Sequence, residues 1–167
     1  VARLSTEKGI ERLVHAVGLL TIPFKYFIIG EGDQRNQLQQ LIDELQLQDK
    51  IILTGEKPEP FAGLDDADLL LVGSYYEGFP NVVLEAGARG IPVIAFNVPG
   101  GLAEIITANN GLLVEDNDII AFASAINTVL AAGFNREDII TSTTKRFSVN
   151  RLMQDMEKLF LQLAANK

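Results

Sequence analysis

The chain has 167 residues, 47% of them hydrophobic and 22% charged, with a formal net charge of −8. That length makes one domain with a substantial core, and the acid excess disfavours nucleic-acid binding through bulk electrostatics. The absence of cysteine excludes disulfides and thiolate metal sites, and a single histidine argues against a His-based metal cluster or a Ser-His-Asp triad.

Val1-Ala2-Arg3-Leu4 reads as the end of a strand whose beginning is missing, so the chain is expected to be a piece of a longer protein. No signal peptide is visible, and no apolar run approaches the roughly 18–20 residues of a membrane span. With the lack of cysteine, this predicts a cytoplasmic setting. Ser5-Thr6 offers a cap, and Ile10, Leu13, Val14, Val17 and Leu20 recur at helical spacing, predicting a helix over 7–20. Pro23 breaks it. A β-rich run over 24–29 ends at Gly30-Glu31-Gly32-Asp33. Leu38, Leu41, Ile42, Leu45 and Leu47 predict a helix over 33–47, and a strand over 51–54 is stopped by Gly55. A helical turn is expected over 58–64 and a strand over 68–72. Pro80 suits the first turn of a helix over 80–89, and Gly90 suits its end. A buried strand over 91–96 follows, then a short helix from Pro99-Gly100-Gly101 through Ile106, then a strand over 111–114. Helices are predicted over 118–132, from the cap Asn135 onward, and over 147–163. The last carries Leu152, Met156, Leu159, Phe160 and Leu163 at helical spacing.

The strands are continuous apolar runs separated by helices. That pattern predicts a Rossmann-like doubly wound parallel sheet, covered by helices on both faces. Ligands of such sheets bind beyond the carboxyl ends of the strands. The loops there are 3–8, 30–33, 55–60, 73–81 and 97–101, and four of the five carry glycine. Glycine lets a backbone approach a ligand closely. Gly30-Glu31-Gly32 does not complete a dinucleotide fingerprint, because Arg35 stands where the third glycine belongs. No phosphate-binding G-x-x-x-x-G-K-[ST] occurs either. Asp65-Asp66-Ala67-Asp68 reads as a solvated turn rather than a metal site.

The stretch from Ser74 to Ala86 is more specific. It holds two carboxylates, Glu77 and Glu85, eight positions apart, with Gly78 and Pro80 between them. A helix starting near Pro80 points free N–H groups into the loop, which suits a diphosphate. Glu85, one to two turns in, can face the same cleft and accept hydrogen bonds from vicinal hydroxyls. Arg3 and Lys8 flank the first strand–helix turn and can reach a phosphate at the sheet edge. His15 is given no chemistry.

The ordered set of these motifs resembles the C-terminal domain of family 4 glycosyltransferases, enzymes of the two-domain GT-B architecture. Arg3-Leu4 through Lys8-Gly9, Gly30-Glu31-Gly32, Thr54-Gly55, the run Glu77-Gly78-Phe79-Pro80-Asn81-Val82-Val83-Leu84-Glu85-Ala86, Gly90-Ile91-Pro92-Val93-Ile94-Ala95, Gly100-Gly101, Glu104-Ile105-Ile106 and Asn110-Gly111-Leu112-Leu113-Val114 follow the family's order and spacing. Phe147-Ser148, opening the last helix, also fits. Ala2 stands where the family usually has glycine.

The resemblance implies that residues 1–167 are one nucleotide-sugar-binding domain, half of a GT-B fold, whose N-terminal acceptor domain is absent. Arg3 and Lys8 would contact the donor diphosphate, and Glu77 would contact the transferred sugar. Glu85 would hold the ribose hydroxyls. Gly78, Phe79, Pro80, Asn81 and Val82 would line the sugar and phosphate pocket, with Gly30 and Gly32 nearby. Gly55, Glu56 and Lys57 would lie against the base. The implied chemistry is hexosyl transfer from a UDP- or GDP-linked sugar with retention of configuration, and without a metal or other cofactor. The implied acceptor is a saccharide or lipid-linked molecule, held through the absent domain, as in polysaccharide synthesis at the inner face of a membrane. The isolated chain is expected to be inactive. Two other readings stay open: a GT-B sugar-nucleotide epimerase domain, and a non-catalytic nucleotide-binding scaffold.

Overall fold

The computed structural model of the chain describes every residue except Asp65, Asn166 and Lys167. Asp65 of the aspartate-rich turn therefore lies outside the described residues. A 3-10 turn, Thr6–Lys8, precedes helix α1, Ile10–Gly18. Strand β1 is Tyr26–Ile29, helix α2 Arg35–Glu44 and strand β2 Ile51–Gly55. Strand β3, Leu70–Val72, leads to helix α3, Asn81–Gly87, and strand β4, Val93–Asn97. Helix α4 is Leu102–Ile105 and strand β5 Gly111–Glu115. Three helices close the chain: α5, Ile119–Ala132, α6, Arg136–Phe147, and α7, Val149–Ala165.

Most elements follow the apolar periodicity. Ile10, Leu13, Val14, Val17 and Leu20 are all buried, and exposed His15 lies on the other side of α1. Asp118 caps α5 by accepting from the Ala121 N–H, and Asn135 caps α6 by accepting from Glu137 and Asp138. Strand β4 is buried through Phe96, as a continuous apolar run predicts, and touches α5 and α3. The Phe96 and Phe122 rings meet at 4.4 Å in the core between β4 and α5. Burying each ring stabilises the fold by about 2–3 kcal/mol.

Four expectations need correction. The helix expected over 7–20 is interrupted at Gly9, whose φ of 52° is left-handed, and the Ser5 side chain does not cap it. Residues 58–64 are turns without a helix. Phe147 ends α6 instead of opening α7, and the apolar stripe of α7 is exposed throughout. Within the expected parallel α/β fold, which holds, the ladder is divided: the strands form two parallel sheets, β1-β2 and β3-β4-β5, rather than one. The N-terminal segment accompanies β1 only at its carboxyl end. There the Ala2 N–H donates to Ile29 O at 3.0 Å and the Leu4 N–H to Glu31 O at 2.8 Å. Before that point, among the described residues, no ladder joins β1 to β3, and a cavity of about 420 Å³ lies between them. Tyr26, Phe27, Leu70 and Leu71 are among the residues that line it. Among the described residues no single helix is long and apolar enough to cross a membrane.

Candidate functional site

A second cavity, of about 300 Å³, runs from between β1 and β3 to the loop that follows β3. It gathers Lys8, Glu77, Phe79, Pro80, Asn81 and Val82 from the sequence-predicted set. The Lys8 ammonium donates to Glu77 Oε1 at 2.7 Å, and the Ser74 hydroxyl donates to the same oxygen at 2.5 Å. Glu77 is the more buried partner, with 11% of its side chain exposed against 29% for Lys8. A carboxylate that buried needs a charge partner and hydrogen bonds to offset lost hydration. It has both. The Lys8 cation at the cavity is thus paired with the Glu77 carboxylate.

Close backbone contacts hold this pair in place. Gly9 and Gly73 touch: a Cβ on Gly9 would lie 2.1 Å from Gly73 O, and one on Gly73 would lie 2.5 Å from Gly9 O. Only glycine allows the first helical turn to meet the exit of β3, and that contact sets Lys8 opposite Glu77. On the other side Glu77 forms a parallel bridge with Gly100. The Glu77 N–H donates to Pro99 O at 3.3 Å, and the Gly101 N–H donates to Glu77 O at 3.0 Å and Gly78 O at 2.9 Å. Helix α3 then begins after Pro80, whose carbonyl accepts from the Val83 N–H at 3.0 Å.

The other predicted residues are not gathered into this cavity. Arg3 is exposed; its carbonyl accepts from the Ser5 N–H at 3.1 Å, and among the described residues its side chain makes no hydrogen bond or ion pair. Glu85 is exposed on α3, and its backbone carbonyl accepts from Arg89 at 3.0 Å. Gly78 is exposed with open space around it. Gly30 and Gly32 approach the chain itself, since a Cβ there would lie 1.8 Å from Ala2 O and 2.2 Å from Leu4 O. Gly55 has φ 81° and accepts from the Gly30 N–H at 2.9 Å. Glu56 and Lys57 are exposed just beyond it. Among the described residues no three His, Asp or Glu side chains gather to hold a metal ion.

Ser74 carries no role in the sequence reading, and neither does the Gly9–Gly73 contact. The only signals were a serine at a strand exit and a glycine after Lys8. Each is common enough in strand–helix loops to be uninformative alone.

Known proteins are similar to this chain in fold and in sequence. The family described as Glycosyl transferases group 1 matches residues 1–146. Salmonella typhimurium WcaL, by its name a candidate colanic acid biosynthesis glycosyltransferase, is 35% identical over 179 residues, covering 100% of this chain and 42% of its own. The lipopolysaccharide outer core galactosyltransferase WaaB, in its apo form, superposes with a TM-score of 0.89 at 25% identity. That match covers 96% of this chain and 47% of WaaB. A sucrose-phosphate synthase from Thermosynechococcus elongatus gives a TM-score of 0.85 at 30% identity, covering 100% of this chain and 45% of its own. The chain thus spans less than half the length of each of these proteins.

Proposed function

The chain belongs to the Glycosyl transferases group 1 family, with the fold of a C-terminal GT-B half, and from that premise we propose that it is the donor-binding half of a retaining glycosyltransferase. The donor is a nucleoside diphosphate sugar, UDP- or GDP-linked, and a hexosyl group is transferred. The observation that carries this reading is the Lys8–Glu77 pair at one cavity with Phe79 to Val82, beside the exit of a parallel strand.

In the proposed reaction the acceptor hydroxyl oxygen forms a bond to the sugar C1 on the face the phosphate leaves, the bond from C1 to the β-phosphate oxygen breaks with its electron pair passing to the phosphate, and the hydroxyl proton passes to that phosphate oxygen. Lys8, with Arg3 from the exposed rim, stabilises that growing negative charge. The reading uses these side-chain cations and assigns no role to a metal. Incoming phosphate competes with Glu77 for Lys8, which frees the Glu77 carboxylate to accept from a sugar hydroxyl. Glu85 accepts from the ribose hydroxyls, and Gly55 to Lys57 lie against the base. The acceptor, a saccharide or a lipid-linked one, binds the part of the protein outside this chain, so the isolated chain does not turn over. A cytoplasmic setting, at the inner face of a membrane, is consistent with relatives named for colanic acid and lipopolysaccharide synthesis.

A thermal-shift panel of nucleotide sugars against the longer protein, followed by NMR of the product's anomeric centre, tests the proposal. Stabilisation by one UDP- or GDP-sugar and a product of the donor's own configuration are expected. An inverted product refutes the retaining assignment. An epimerised sugar nucleotide formed without acceptor refutes transfer altogether.

A further inference from the structure

We propose that Arg12 is the positioning residue for Glu77, holding the loop from Gly73 to Glu77 where its carboxylate meets Lys8. Arg12 lies on α1, one turn beyond Lys8, and is buried, with a side chain 4% exposed. A buried cation is costly unless every donor finds an acceptor. Its Nε–H donates to Gly73 O at 2.5 Å, and one terminal nitrogen donates to Ser74 O. The other donates to Asp116 Oδ1 at 2.6 Å and Asn117 Oδ1 at 3.1 Å. The Tyr75 and Phe96 rings each lie 4.0 Å from its Cζ, measured to the ring centroid.

The partners belong to different loops. Gly73, Ser74 and Tyr75 form the exit of β3, and Asp116 and Asn117 form the exit of β5. One guanidinium thus ties two loops at the carboxyl edge to the helix that carries Lys8 into the site. The link to Glu77 runs through Ser74. Arg12 holds the Ser74 carbonyl, and the Ser74 hydroxyl donates to Glu77 Oε1. The same βα turn therefore grips the loop twice, by Lys8 on the carboxylate and by Arg12 on the backbone before it.

The plainer alternative is that Arg12 only fills space between α1 and β4. An apolar side chain would do that, but it would leave the Gly73 and Ser74 carbonyls without donors. A lysine supplies the charge but not the planar fork that reaches Gly73, Ser74 and Asp116 together. Holding two consecutive carbonyls of the loop that precedes Glu77 is what space-filling does not require.

The test has two arms, and only the second rests on the donor reading proposed above. In the first, amide hydrogen exchange of the ligand-free protein compares wild type with Arg12→Lys. Exchange at Tyr75 and Glu77 is expected to rise about tenfold or more, with Ile94 to Phe96 unchanged. In the second, calorimetry with the longer protein compares a nucleoside diphosphate with its sugar-bearing form. Arg12→Lys and Ser74→Ala are each expected to weaken the sugar-bearing ligand more than the nucleotide, by about tenfold. Ser74→Ala keeps the backbone carbonyl, so it breaks only the link to Glu77 and stands in if Arg12→Lys fails to fold. Glu77→Gln should show the same selective loss, and combining it with Ser74→Ala should add little.

Unchanged loop exchange in Arg12→Lys overturns the proposal. So does an equal loss for both ligands, which marks a merely structural residue. Wild-type protein that binds neither ligand overturns the donor reading instead, and the exchange comparison alone then decides the clamp.

Discussion

Gly100 is the sharpest point at which the site's construction meets the stability of the fold. Its φ is 121°, a region that L side chains rarely adopt, and a Cβ there would sit 1.5 Å from the Glu77 carbonyl oxygen. Comfortable contact begins near 3.5 Å, so Gly100→Ala forces the two strands of loop apart by about 2 Å. The Glu77–Gly100 bridge and the Gly101 N–H bond to Glu77 O lie in the path of that movement. The backbone strain costs about 1–3 kcal/mol, and the overpacking about 1–3 kcal/mol more. Gly100→Ala is therefore expected to lose about 2–6 kcal/mol in urea denaturation at an unchanged m-value. The displacement also moves Glu77 from Lys8, so donor affinity should fall in whatever fraction remains folded. Gly63→Ala is the control. Its φ of 76° is also positive, but no atom lies within 4 Å of the added Cβ, so it carries the backbone cost alone. Gly100→Ala that is no less stable than Gly63→Ala would refute the claim that close approach to Glu77 explains the glycine.

Two further expectations concern exposed groups near the loop. Glu85→Ala should leave stability unchanged, because the side chain is exposed and, among the described residues, its hydrogen bonds run through the backbone. It should still weaken nucleotide binding by about 1.5–3 kcal/mol, read by calorimetry, if its carboxylate holds the ribose. Burial, and then the neighbouring Glu11 carboxylate, push the Tyr75 phenol above its ordinary value. A raised folded value means that the neutral phenol's contribution is fully present below the unfolded value of about 10 and is lost as pH rises beyond it. Tyr75→Phe should therefore flatten the fall in stability above about pH 10, followed by denaturation at stepped pH.

The local elements were legible because hydrophobic period and cap chemistry are local. Asn135, Asp118 and the run into Phe96 behave as their neighbours dictate. The division of the sheet was not legible, since it turns on what lies between β1 and β3, and strand pairing is a long-range property. The stripe on α7 shows a similar limit: Leu152, Met156 and Phe160 specify an amphipathic helix, not the surface that covers it. Gly30 and Gly32 were read as places where a backbone approaches a ligand. In the fold the carbonyls of Ala2 and Leu4 approach them, a contact that the local sequence did not signal. The family pattern put Lys8 and Glu77 at one site with separate roles, but their direct contact, across 69 positions, was not legible. Ser74 and Arg12 had no such pattern to mark them.

In the proposed function, Lys8 exchanges its Glu77 partner for a donor phosphate. Isothermal titration of the folded chain with UDP and GDP, for wild type and Lys8→Met, measures that most directly. Saturable binding of one nucleotide at millimolar concentration or tighter is expected, weakened by about tenfold or more in Lys8→Met. Equal binding by both proteins, or no heat from either nucleotide with a folded wild-type sample, would contradict it.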